Sequence, residues 1–199
     1  MSIRVPSRVF LFVLSSLVGA GCAGQNLREI PADQRAQMIK AELDEGRILM
    51  IDGGKLLDGS QGDTRADDAL QKFGEAEAHF TYALELADAD RGSPPSATPR
   101  IALANCLYTS ALAWEWKHDR AQDAIRDAKD KGTSLPAGLE ADAAHSLERA
   151  RDFAQRASTL YEFYQQYLYG NYPIPLTFQN MGRNYQILGE WRKAATAYR

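Results

Sequence analysis

The sequence predicts an all-α protein: antiparallel helical hairpins stacked as an α-solenoid, behind a short amino-terminal leader and tether. Three observations point there. Beyond residue 33 apolar residues recur at helical spacing, and no convincing strand alternation appears. Short breaks rich in Gly, Pro, Asp and Ser separate the helical stretches. The 199 residues are 45% hydrophobic and 25% charged, with 15 Gly and 8 Pro. That is the composition of one ordinary globular domain, not of a low-complexity or disordered chain.

The leader comes first. Arg4 and Arg8 make a basic start, and Val9 to Val18 run apolar except for Ser15 and Ser16. A run of about ten residues is too short to cross a bilayer core as a helix. It ends in Gly19-Ala20-Gly21-Cys22, and small residues before a cleavage point mark a secretory signal peptide. With a cysteine directly after them, this segment resembles the lipobox of bacterial lipoproteins, although Gly19 stands where that family usually carries Leu. The resemblance implies cleavage before Cys22, diacylation of its thiol and acylation of the new amino terminus. Residues 1–21 are then the signal peptide, and 22–33 the lipidated cysteine and tether. Each buried methylene contributes about 0.8 kcal/mol, and two acyl chains suffice for stable anchoring. Ala23, rather than Asp, after the lipidated residue implies the outer membrane, facing the periplasm. The alternatives are a cleaved signal with a free Cys22, or an uncleaved apolar anchor.

Residues 34–199 form the helical domain. A first helix is expected over about 33 to 51, with Asp33 as N-cap, Met38, Ala41, Leu43, Ile48 and Leu49 as apolar positions, and Gly53-Gly54 as its stop. Asp58 to Thr64 reads as a loop. A second helix follows over about 66 to 89, and the Pro-rich stretch 91–99 breaks it. The third is expected over about 99 to 117 and the fourth over about 120 to 131, closed by Gly132 to Pro136. A long fifth helix spans about 139 to 169. After the break at 170–175, a last pair covers about 176–188 and 190–199.

Breaks this short call for a repeat search. Phe178, Met181, Gly182, Tyr185, Gly189, Trp191, Ala194 and Tyr198 fall in register with each other across the last pair. Their spacing resembles one copy of the tetratricopeptide repeat (TPR). The resemblance implies that Gly182 and Ala194 are small where two helices cross, that Tyr185 and Tyr198 fill the space around them, and that Gly189 permits the turn. Weaker echoes stand at Ala76, Phe80 and Ala83 and at Ala121, Ile125 and Ala128. For the first echo the helix around Gly46 is the expected partner; for the second, the third helix, with Thr109 where Gly is usual. An irregular helical bundle is the alternative. The repeat over 175–199 is incomplete. Either the chain continues beyond it, which the pattern favours, or a partner or second copy covers Trp191 and Tyr198.

Chemistry-bearing motifs are sparse. The net charge is −3, and loss of Arg4 and Arg8 with the leader makes it −5, which argues against nucleic acid as a partner. Two cysteines cannot make a disulfide scaffold. Cys106 lies in an apolar helical run and reads as a buried, inert thiol. His79, His118 and His145 each have a carboxylate nearby (Glu75; Glu115 and Asp119; Asp142 and Glu148), but none has a second His or Cys at ligand spacing. They read as helix-surface pairs, and no metal or cofactor is expected beyond the lipid on Cys22. Gly53-Gly54-Lys55 lacks the earlier glycine of a phosphate loop. Asp119 to Lys131 alternates in sign and reads as a solvated face, with Arg126–Asp130 and Asp127–Lys131 as i,i+4 pairs. Trp114 and Trp116, two residues apart, cannot share a helix face.

Five of the nine tyrosines lie between 161 and 172, more than one core-facing stripe accounts for. Tyr161, Tyr164, Tyr167 and Tyr169 are therefore candidates for a partner-binding surface, since tyrosine offers large contact area at low entropy cost. Inter-helix packing is the other reading. Together these features point to a non-catalytic scaffold, anchored in a bacterial envelope, that binds a protein or peptide and needs no small-molecule substrate. A structural subunit of a large envelope assembly, or the non-catalytic part of a longer enzyme, are the alternatives.

Overall fold

The computed structural model describes residues 26–58, 64–89, 95–171 and 174–199. The expected signal peptide (1–21), Cys22 and residues 23–25 of the expected tether lie outside these; the rest of the tether is described. The described residues form six α-helices and no strand. They are α1 (Ala32–Asp58), α2 (Thr64–Asp88), α3 (Ala97–Lys131), α4 (Leu139–Tyr167), α5 (Leu176–Ile187) and α6 (Trp191–Ala197), after a single 3-10 turn at Leu27–Glu29.

Each helix packs on the next in the chain, and α3 also touches α1 and α5. Cross-helix pairs show that α1 to α4 run antiparallel, each to the next. Glu42 meets His79 and Gly53 meets Phe73 between α1 and α2. Asp67 meets Lys117 and Asp88 meets Arg100 between α2 and α3. Trp114 meets His145 and Asn105 meets Tyr161 between α3 and α4. The core is drawn from all six helices.

The first helix runs seven residues past its expected end. Gly53 does not stop α1: it lies against the Phe73 ring of α2, where a Cβ would stand 2.5 Å from the ring, and Gly46 lies in the same way against Phe80. Glycine inside a helix costs up to about 1 kcal/mol relative to alanine, and the close approach of two phenylalanines offsets it. Leu56 and Leu57 then continue the core contact. The start also differs. Pro31 precedes α1 and its carbonyl accepts from Arg35 N–H, so Asp33 lies in the first turn and is not the cap.

The expected third and fourth helices are one. α3 runs unbroken for 35 residues, because the polar stretch from Glu115 to Arg120 contains neither Gly nor Pro to end it. Between Ile101 and Ala113 it is buried on several sides, as a helix with neighbours all round must be. Beyond His118 only Ile125 and Ala128 are buried. Ala121, Ile125 and Ala128 therefore belong to one continuous helix, and no hairpin separates them from Thr109. Gly132 closes α3 at φ 63°, its N–H bonding Ala128 and Lys129 carbonyls, the left-handed cap that glycine adopts most readily.

α4 repeats a buried residue every three to four positions: Ala143, Ser146, Ala150, Phe153, Ala157, Tyr161, Tyr164. It ends two residues before Tyr169, where the Leu168 and Tyr169 N–H groups both close on the Tyr164 carbonyl. α5 and α6 join through Gly189 at φ 77°. Gly182 lies under the Tyr198 ring, with 2.6 Å left for a Cβ, and Ala194 is buried beside it.

Candidate protein-binding groove

Where α1 and α3 run side by side, the surface opens into a groove of about 390 Å³. Arg47 and Met50 of α1 form one wall. Ala97, Thr98, Ile101, Ala102 and Asn105 of α3 form the other, with Phe80 of α2 and Ile174 closing it. The lining is mainly apolar, and Arg47 is its only ionisable group. That guanidinium is exposed and touches Asp44 only weakly, at 3.4 Å.

The floor is held by a polar knot. Asn105 Oδ1 accepts from the Tyr161 hydroxyl at 2.5 Å and from Asn180 Nδ2 at 3.1 Å. Asn180 Nδ2 also stands 3.2 Å from the Tyr161 oxygen. These three side chains tie α3 to α4 and α5. Burial pushes the Tyr161 hydroxyl well above the usual phenol range, and the Asn180 hydrogen bond opposes this in part. Near one end Arg100 is pinned. It donates to both Asp88 carboxylate oxygens, at 3.0 and 2.7 Å, and lies 4.4 Å over the Phe163 ring. Such a groove can hold an apolar side chain or an extended segment. No nucleophile–base pair stands among its lining residues.

A shallower groove of about 290 Å³ lies over α5 between α4 and α6. Phe178, Met181 and Tyr185 form its floor; Gln165, Arg192, Lys193 and Thr196 stand around it. Tyr185 donates to Glu162 at 2.6 Å, and burial followed by that carboxylate raises its pKa.

The tyrosine candidates divide. Tyr161 and Tyr164 are wholly buried, so neither ring is available to a partner and both serve packing. Tyr167 is 58% exposed and stacks on Phe163, with centroids 4.8 Å apart. Tyr169 is half-buried between Tyr164 and Phe178, at 6.0 and 4.9 Å. Of the residues singled out on the last helix pair, Met181, Tyr185 and Ala194 are buried while Trp191 and Tyr198 are exposed.

The other candidates fall into structural places. Cys106 is buried and its thiol donates to the Phe73 carbonyl at 3.3 Å. Burial pushes its pKa up to about 12, which holds it as an unreactive thiol. His79 pairs across the helix interface with Glu42 at 2.6 Å, not with Glu75, which Lys72 and Gln71 engage. His118 hydrogen-bonds the Ala143 carbonyl at 2.8 Å, and His145 packs edge-on against Trp114 at 5.7 Å. Lys131 pairs with Asp127 as expected, whereas Arg126 turns to Asp123. Trp116 is exposed beneath the Arg120 guanidinium, and Trp114 lies beneath Lys117. Among the described residues no His, Cys, Asp and Glu side chains converge as a metal site, and no helix is long and apolar enough to cross a membrane.

The α1–α3 groove was not visible as a pattern in the sequence. Its one signal is the apolar surplus of residues 101–113, which exceeds a single helix face. Ile174 follows the Pro-rich break, where periodicity carries no information. Comparison with known protein families, with curated proteins and with solved structures finds no match to this chain.

Proposed function

We propose that this chain is a non-catalytic protein–protein interaction scaffold, a TPR-like array of helical hairpins held by lipid on Cys22 to a bacterial outer membrane and facing the periplasm. The observation that carries the reading is the α1–α3 groove: mainly apolar, with one cation at its edge, and built over a floor that three helices hold rigid. A preformed apolar cleft with few polar handles is the usual form of a binding site. The leader motif supplies the anchor, and the mixed helix-surface charge leaves electrostatics a minor part of the hold on lipid. The mechanism is physical. An anchored groove confines its client near the membrane and raises its effective concentration towards other envelope proteins.

Photo-crosslinking amino acids placed at Met50 and Thr98 in the groove, and at Asp127 on the outer part of α3, test this in the native envelope. One or two envelope proteins should crosslink from the groove positions and not from Asp127, and a Cys22→Ser background should abolish both adducts and release the protein from the membrane fraction. Identical adducts from all three positions, or none from the groove, would overturn the assignment.

A further inference from the structure

We propose that the end of the helical array from which the tether leaves rests on the membrane, and that Tyr167 and Leu176, with Ile174 between them, enter the headgroup layer as a second hold beside the lipid. This rests on the reading of Cys22 as the lipidated residue.

The anchor is confined to this end. Four residues carry the chain from Cys22 to Asn26, a span of at most about 14 Å. From there it makes one 3-10 turn, buries Ile30 and enters α1 at Ala32. Because α1 to α4 alternate in direction, the start of α1 shares one end of the array with the end of α2, the start of α3 and the end of α4. Side chains join these ends. Asp88 of α2 pairs with Arg100 of α3, which lies over Phe163 of α4, and Phe163 packs on Tyr167. Tyr169 then packs on Phe178 in the first turn of α5. α3 touches both α1 and α5, and packed helices stand about 8–10 Å apart, so the tips of α1 and α5 are within about 20 Å of each other. The other end is a helix length away, about 40 Å along α1.

The chemistry of this tip suits a lipid surface. Phe163 to Gly182 is a run of twenty residues without Asp, Glu, Lys, Arg or His, in a chain that is 25% charged. The tip it builds can lose water without stranding an ion. Tyr167 and Leu176 are each 58% exposed and Ile174 is 38% exposed. Tyrosine, with an apolar body and a polar end, settles at the boundary between membrane and water. Gln165, Gln166 and Asn171 stand exposed beside these side chains and can hydrogen-bond headgroups.

The two ends differ in what they would bring to a bilayer. Around the tether Arg28, Glu29, Asp33 and Arg35 sum to zero charge, so the contact needs no anionic lipid. At the far tip of α3, Arg126, Asp127, Lys129, Asp130 and Lys131 are all exposed, and dehydrating them is costly. The lipid on Cys22 already supplies the affinity. The second hold therefore sets orientation: it stands the helices on end, with the charged tip of α3 away from the bilayer.

The test uses full-length protein extracted with its lipid and reconstituted into vesicles of phosphatidylethanolamine and phosphatidylglycerol, a part of them brominated high on the acyl chain. A fluorescent amino acid replaces Gln166 or, for comparison, Asp130. Bromine should quench the label at 166 at least about threefold more than the label at 130, as a tip seated in the interface requires. Tyr167→Asp combined with Leu176→Asp, both at exposed positions, should bring the signal at 166 to the level at 130 while the protein still floats with the vesicles. Equal quenching at the two positions in a floating protein would overturn the tip contact and leave the anchor standing. So would quenching at 166 that the double variant leaves unchanged, or a label at 166 that lipid does not quench while a photo-crosslinker there captures a protein in the native envelope. A protein that does not float overturns the lipid on Cys22, and this placement with it.

Discussion

Gly46, Gly53 and Gly182 each sit where an aromatic ring of the facing helix leaves no room for a methyl group, whereas Gly54 and Gly74 lie on helices with nothing within 4 Å of the added atom. The same substitution should therefore change sign along the chain. Gly46→Ala and Gly53→Ala, which face the buried Phe80 and Phe73 rings, should each cost about 1–3 kcal/mol by overpacking. Gly54→Ala and Gly74→Ala should be neutral or stabilise by up to about 1 kcal/mol. Urea denaturation of the four variants separates the two groups. Cys106 gives a second expectation at this scale. Its folded-state pKa is raised from 9.0 to about 12, so the folded protein keeps a proton that the unfolded chain releases. The corresponding stability is complete below pH 9 and is lost as pH rises towards 12, at about 1.4 kcal/mol per pH unit. Tyr161, Tyr164 and Tyr185, also raised mainly by burial, add loss of the same sign above pH 10. A Cys106→Ala variant should show a shallower decline between pH 9 and 10, and a thiol reagent should label Cys106 only in denaturant.

At the scale of elements, α3 tests the difference between a polar stretch and a break. Proline at 119 would be well tolerated in the first turn of a separate helix. Inside a continuous one it should cost about 3 kcal/mol or more, so Asp119→Pro should lower the melting temperature sharply. The all-helical class and the positions of α2, α4 and α5 were legible because their buried residues recur every three to four positions, as Ala69, Phe73, Ala76, Phe80 and Ala83 do, whereas α6, where Ala194 alone is buried, was legible only through the spacing of the last helix pair around Gly189. The Gly53 and His118 boundaries were not. Glycine marks a helix end when it is exposed and a close helix crossing when a ring lies on it, and only the facing helix decides which. Tyr161 and Tyr164 mislead for a related reason. Their number suggested a surface, but α4 is covered by both α3 and α5, so it has more than one face to bury. The groove depends on side chains more than fifty residues apart, from Met50 to Ile101, which no local pattern links.

For the whole molecule, the pattern of neighbours sets the order of opening. Among the described residues α3 touches four other helices, while α6 packs chiefly on α5. The free energy of local opening follows such contacts. Amide exchange should accordingly be slowest in residues 101–113 and fastest, among the helices, in 191–197, as hydrogen exchange read by mass spectrometry would show. The Asn105–Tyr161–Asn180 knot joins three helices at one point. Tyr161→Phe removes the hydroxyl that Asn105 binds, at a cost of about 1–3 kcal/mol, and should speed exchange in α5 and α6 more than in α1 and α2.

The length of α3 also has a practical use. Lys117 pairs with Asp67 in the first turn of α2, so by the antiparallel register the last ten or so residues of α3, about 15 Å at 1.5 Å each, run beyond α2, with α4 the one helix beside them among the described residues. The connection at their tip, Gly132 to Gly138, is almost wholly exposed. It is the place to graft a fluorophore, an epitope or a second domain, where new chain can be added without disturbing the groove.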